Sequence, residues 1–267
     1  MNVVASTEFK TTKSTNSGYP LRADATGTLV KPGELIDLKE VTALNLTDWR
    51  IFNQLLANAW DEIEENGVHR IHKSLLRGTH GSTDRITESQ KRLMGAIATV
   101  RIVKDDKPSQ LHVQLLGVNI LQDADDGYFY YRFPEEMRVI IAQSTVFARI
   151  KSHVMYALRS KYALRLYEIV QKRANLKFRR FEEFTVQEFR NLLGVPKGKL
   201  KRFADLNKHA VAPAIKELDR VGAHKVWTEN IREGRAVQKI VLYWFEKSAE
   251  DQLAALSEVQ RRNGLGA

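Results

Sequence analysis

Apolar positions along the chain change period several times, and the changes mark out its elements. Residues 1 to 34 hold few large apolar side chains among Ser, Thr, Asn and Gly, which predicts a flexible tail with order beginning near Leu35. From Thr47, a candidate N-cap, the residues Trp49, Phe52, Leu56, Trp60 and Ile63 recur at helical spacing and form a core stripe. The stretch "HRIHKSLLRGTHGSTDRITESQKRLMGAIATVRI" then divides into a short helix ending near Leu76, a turn holding Gly78 and Gly81, and a second helix. That helix runs from about Ser82 to Met94 and is closed by Gly95. Strands are expected at Ala98–Val103 and Leu111–Leu116, around the polar "KDDKPSQ", and at Tyr128–Phe133. Helices around a turn, then a β-hairpin, are the order of a helix-turn-helix with a strand wing.

Pro134, Glu135 and Glu136 open a further helix, and "STVFARIKSH" reads as a linker or short helix. The same order then repeats. A helix over roughly Met155–Ala174 sets Leu158, Tyr162, Leu166, Ile169 and Val170 on one face and Lys161, Arg165, Glu168 and Lys172 in an outward stripe. Thr185-Val186-Gln187-Glu188 is a capping box, and Gly194 with Pro196 ends the short helix it begins. A basic turn, "KGKLKR", leads to a long helix from Phe203 to about Val221. The hairpin "TENIREGRAVQKIVLYWF", residues 228–245, follows and carries two like charges in its tip, Arg232-Glu233-Gly234-Arg235. The expected fold class is α+β: two tandem winged-helix domains over 35–145 and 146–247, then a charged helical tail over 248–267.

Composition adds little to this picture, and charge adds much. A chain of 267 residues, 43% hydrophobic and 28% charged, has room for two globular domains. No apolar run approaches the roughly 20 residues of a membrane span, and the start lacks a signal-peptide core. The absence of cysteine excludes disulfides, thiolate zinc sites and cysteine nucleophiles, and suits the cytoplasm. The net charge of +10 is local: Val146–Lys208 holds 16 Lys/Arg against 5 Asp/Glu. Such a footprint points to nucleic acid rather than to an anionic membrane surface, since no strongly amphipathic basic helix with an unbroken apolar face argues for the latter.

In a helix-turn-helix the start of the second helix faces base edges. In the second domain that start carries Lys199, Lys201, Arg202, Asn207, Lys208 and His209, before Val211, Ala214, Ile215 and Leu218 turn to the core. Lys and Arg read guanine or grip phosphate, and Asn suits adenine; the bland alternative is a solvated face. Arg232 and Arg235 suit a wing lying over the sugar-phosphate backbone. In the first domain the corresponding set is Thr79, His80, Ser82, Thr83 and Arg85, with Lys91 and Arg92 beyond; Ser82 and Thr83 serve as caps or as phosphate contacts. Asp105 and Asp106 predict a first wing that adds little to DNA affinity.

No catalytic, metal or cofactor site emerges. His69 and His72 lack carboxylates at metal-ligand spacing, Tyr128, Tyr130 and Tyr131 lie in a strand, and no Walker loop is present. The chain is not read as an enzyme.

"SKYALRLYEIVQKRAN" followed by "FTVQEFRNLLGV", then "FADLNKHAVAPAIKELD" and a basic hairpin, resembles the RepA/RepE-type replication initiators of iteron-containing plasmids. Tyr162 to Glu168 is the most specific part, and "GTHGSTDRITESQKRLMG" with "YYRFPEEM" extends the likeness into the first half. The resemblance implies monomers that bind direct repeats at a plasmid origin, open adjacent AT-rich DNA and recruit host initiator and helicase proteins. It also implies dimers, joined through the N-terminal domain, that repress their own promoter. The DNA-facing set it implies is Arg202, Asn207, Lys208 and His209. Relatives often have more arginine there, so a different repeat or a larger phosphate share is expected. Arg165 and Tyr167 lie in the shared motif, Tyr167 as packing. The rival reading is a winged-helix transcriptional repressor without origin function.

Overall fold

The structure, a computed structural model, describes residues 27–39, 42–76, 83–104, 107–117, 126–174 and 179–265. The fold is α+β, two winged helices in tandem. The first opens with β1 (Thr28–Pro32) and α1 (Leu46–Ala59), followed by β2 (His69–His72), α2 (Lys73–Leu76) and α3 (Thr83–Met94). Its wing is the antiparallel pair β3 (Ile97–Lys104) and β4 (Lys107–Gln114), after which come β5 (Tyr128–Tyr131) and α4 (Glu135–Ala142). β6 (Phe147–Lys151), α5 (Ser152–Ala157) and α6 (Lys161–Ala174) lead into the second module. That module holds β7 (Phe181–Thr185), α7 (Val186–Leu192), α8 (Phe203–Leu206), a π-helical segment over Asn207–Val211, α9 (Ala212–Val221) and the hairpin β8 (His224–Glu233) and β9 (Ala236–Glu246). β7 pairs with β9 to make its three-stranded sheet, and α10 (Ala249–Arg262) follows.

Several local expectations are corrected. Thr28–Pro32, placed in the tail, form β1, which pairs antiparallel with β6, the segment read as a linker or short helix. His69–His72, read as helical, pair as β2 with β5, so His69 faces the core and His72 the solvent. The cap of α1 is Asn45 rather than Thr47: its side chain accepts the Asp48 N–H at 3.0 Å, while Asp48 accepts the Asn45 N–H at 2.8 Å. The single helix expected over Met155–Ala174 breaks at 158–160 into α5 and α6. The last segment is helical as expected, and it is docked: α10 packs on α5 and α9, where Arg262 donates to Glu217 at 3.1 Å and to the Ala157 carbonyl at 3.2 Å.

α1 is buried almost all round, and one continuous cluster of buried apolar side chains runs from Leu29 to Val259 through both modules. α6, expected wholly in the second domain, packs on α1 and β6 of the first and on α7 and α9 of the second. Its polar face is not outward either: Arg165 and Glu168 are 1% and 0% exposed. Glu168 accepts from Lys31 at 2.8 Å, Asn53 at 2.7 Å and Arg165 at 2.5 Å. An ion cluster in a dry site has the same helical period as a solvated stripe, so the pattern alone does not distinguish them.

Candidate nucleic-acid interface

The second module presents its long helix on a framework of capped turns. The capping box at Thr185 forms as its spacing predicts, with the Glu188 N–H donated to the Thr185 hydroxyl at 3.1 Å. Gly194 ends α7 at φ +67°, in the left-handed region that glycine tolerates. The basic turn that follows is pinned from beneath. Arg190, 7% exposed, donates to the carbonyls of Lys199 and Leu200, and Leu200 itself sits at φ +47°. Arg190 is a residue that sequence reasoning missed, since no spacing signal separates it from the surface cations around it.

The long helix is widened where DNA reading is expected. Pro213 has no N–H and its ring would strike the carbonyl four residues back in a regular helix. The chain instead makes a π-turn, in which the Ala212 N–H bonds to Asn207 five residues earlier. Lys208 and His209 are exposed on this turn and Asn207 is half-buried, while Ala210, Val211, Ala214 and Leu218 pack inward. Lys199 and Lys201 are exposed beside them. Arg202, also exposed, is engaged by Asp205 at 2.7 and 3.0 Å, and this pair holds the Asp205 carboxyl below the usual range.

The wing turns at Gly234, φ +59°, with a register shift at Ile231/Arg232. Arg232 and Arg235 are exposed at its tip, and neither makes an ion pair among the described residues. The base of the ribbon is stiffened by Trp227, stacked between Tyr243 and Phe245 at 5.0 and 5.4 Å. Replacing both tip arginines by alanine should weaken binding to all duplexes alike and flatten the log–log salt dependence by about 0.9 for each phosphate no longer gripped. A filter-binding titration with an unchanged slope would rule out a phosphate-gripping wing.

In the first module α3 is locked to α1. Asp48, fully buried, accepts from the Ser89 hydroxyl, and it accepts from Nε and Nη2 of Arg92 at 3.0 Å each. Arg92 is therefore a brace, while Arg85 and Lys91 are exposed on α3. Thr83 begins α3 in backbone; Thr79, His80 and Ser82, and Asp105 and Asp106 of the first wing, lie outside the described residues.

The remaining titratable candidates are structural. His69 is buried against Tyr131 and burial lowers its pKa; His72 bonds the Ser74 hydroxyl at 2.6 Å. Tyr131 donates to the Leu55 carbonyl at 2.7 Å, and Tyr167 accepts the Lys151 N–H at 3.0 Å. No group of His, Asp and Glu placed to hold a metal ion, and no helix long and apolar enough to cross a membrane, occurs among the described residues.

The Pi initiator protein, solved in complex with iteron DNA, matches with a TM-score of 0.57 at 16% identity, over 84% of this chain and 98% of that one. Domains 2 and 3 of RctB give a TM-score of 0.44 at 11% identity, over 75% of this chain and 80% of theirs. No curated protein matches the sequence. Residues 28–171 match the family model "Initiator Replication protein, WH1" and residues 185–244 match "Initiator Rep protein, WH2". The first match runs through most of α6 and ends before β7. Two winged helices in this order, matched over most of the described sequence, place the chain in the initiator replication protein family.

Proposed function

We propose that this protein is a sequence-specific double-stranded DNA-binding replication initiator that binds direct repeats at an origin, promotes opening of the adjacent duplex and represses its own promoter. The observation that carries the reading is the Asn207-Lys208-His209 turn, exposed at Lys208 and His209 and set between a basic loop and an arginine-tipped wing on one module. A second winged helix stands in the same chain. The complex of the Pi initiator with iteron DNA supports repeats as the ligand.

Initiation of this kind needs no bond chemistry from the protein and no cofactor. Bending a site of 20–30 base pairs costs on the order of 1–6 kcal/mol. Phosphate contacts offset that strain, which is then available to open a weak neighbouring segment. Host initiator and helicase proteins are the partners on the opened DNA, a monomer–dimer equilibrium separates initiation from repression, and the site of action is the cytoplasm.

The test is replication itself. The gene and its flanking DNA, carried on a vector unable to replicate in the host, should yield colonies. Promoter repression without colonies would leave a winged-helix repressor and remove the initiator.

A further inference from the structure

Two guanidinium groups of α6 each join the first module to the second. Arg165 donates through Nη2 to the carbonyl of Ile36 and through Nε to that of Leu192 at 3.2 Å. It lies over the Trp49 ring at 4.5 Å. Ile36 and Trp49 belong to the first module. Leu192 ends α7 in the second, where a helix leaves its last carbonyls without intrahelical partners. Arg173 repeats the bridge: it bonds Asp37 at 3.0 Å and Glu182 of β7 at 2.9 Å, over the Phe184 ring at 5.2 Å. Their side chains are 1% and 6% exposed. Eight residues apart on one helix, the two are stacked along one face and separated by about 12 Å of axis. Added to the buried apolar cluster that the two modules share, two bridges set apart along the helix oppose rotation better than one.

We infer that Arg165 and Arg173 are positioning residues that hold the two DNA-reading modules at one relative orientation, so that the protein selects the spacing between two base blocks as well as the bases. This rests on the reading of both modules as DNA-binding. An added base pair moves the second block by about 3.4 Å and about 35° around the duplex. A rigid pair of modules does not follow that movement, whereas a hinged pair does.

Selection from a pool of randomised duplexes tests this and does not require the repeat to be defined beforehand. The unaltered protein should enrich two blocks at one spacing, favoured at least about tenfold over a spacing one base pair longer, comparable to one mismatched pair. Arg165→Lys keeps a cation for Glu168. Arg173→Met leaves Asp37 with Lys172 and Glu182 with Arg179. Singly or together, these variants should enrich the same blocks at several spacings with less than about threefold preference. Retention of the single spacing by the double variant overturns the inference, as does enrichment of only one block by the unaltered protein. If the unaltered protein enriches no sequence, the DNA-binding reading falls, and the clamp is judged without DNA. Since the chain has no cysteine, spin labels at Lys91→Cys and Lys216→Cys report one distance. A distribution that is narrow in the parent and broad in the double variant supports the clamp; equal widths overturn it.

Discussion

Replacing Glu168 by leucine should cost about 3–5 kcal/mol of folding stability, the cost of stranding buried charge, whereas replacing Lys31 by methionine should change it by less than about 1 kcal/mol. The asymmetry follows from two cations sharing one carboxylate. Without Glu168, Arg165 keeps its charge in a buried site, because a guanidinium does not give up its proton. Lys31 is different: burial, helped by the nearby charge of Arg165, pulls its pKa down to about 8 against the attraction of Glu168. With Lys31 gone, Glu168 retains Arg165 and Asn53 as donors, so no charge is left unpartnered. Urea denaturation at neutral pH measures both variants, and equal losses would refute the shared-carboxylate account. The pH dependence has a definite sign. The folded protein releases the Lys31 proton before the unfolded chain, whose value is near 10.5. The parent should therefore gain stability relative to Lys31→Met as pH rises from about 8 to 10.5. Glu168 is held below the usual carboxylate range by Lys31 and Arg165, against the opposing effect of burial. It contributes stability at neutral pH that is lost as acid carries it through its folded value.

Asn207→Ala and Lys208→Ala should each reduce discrimination between the selected repeat and a scrambled duplex by about 1–3 kcal/mol, roughly 5- to 150-fold. Binding to the scrambled duplex should fall little, because the lysines of the preceding loop and the wing arginines remain. Competition titrations at fixed salt read this ratio directly. A variant that weakens binding to both duplexes equally would move its residue from base reading to backbone contact. Arg202 serves as the contrast: already occupied by Asp205, Arg202→Ala is expected to alter discrimination less than either substitution on the π-turn.

Short-range chemistry is the legible part of this chain. The Thr185 capping box, the Gly194 stop and the hairpin turning at Gly234 are each set by residues within a few positions of one another, and each stands where its spacing places it. β1 and β6 are hidden because each is five residues long and each owes its strand character to the other, far along the chain. Arg165, Arg173 and Arg190 belong to the local basic excess, yet they are buried and spend their charge on carbonyls and carboxylates inside the protein. The charge excess therefore overstates how many cations are free to face a ligand. Pro213 stands in plain view in the long helix of the second module, but a proline alone does not say whether a helix kinks, stops or widens.

The pairing of the earliest strand with a late one sets an order of events during synthesis. Lys31 meets Glu168 across 137 positions of sequence, and β1 waits for β6 before its edge is covered. The first module thus stays open until β6 and α6 have both emerged, and it can close while the strands and helices of the second module are still being made.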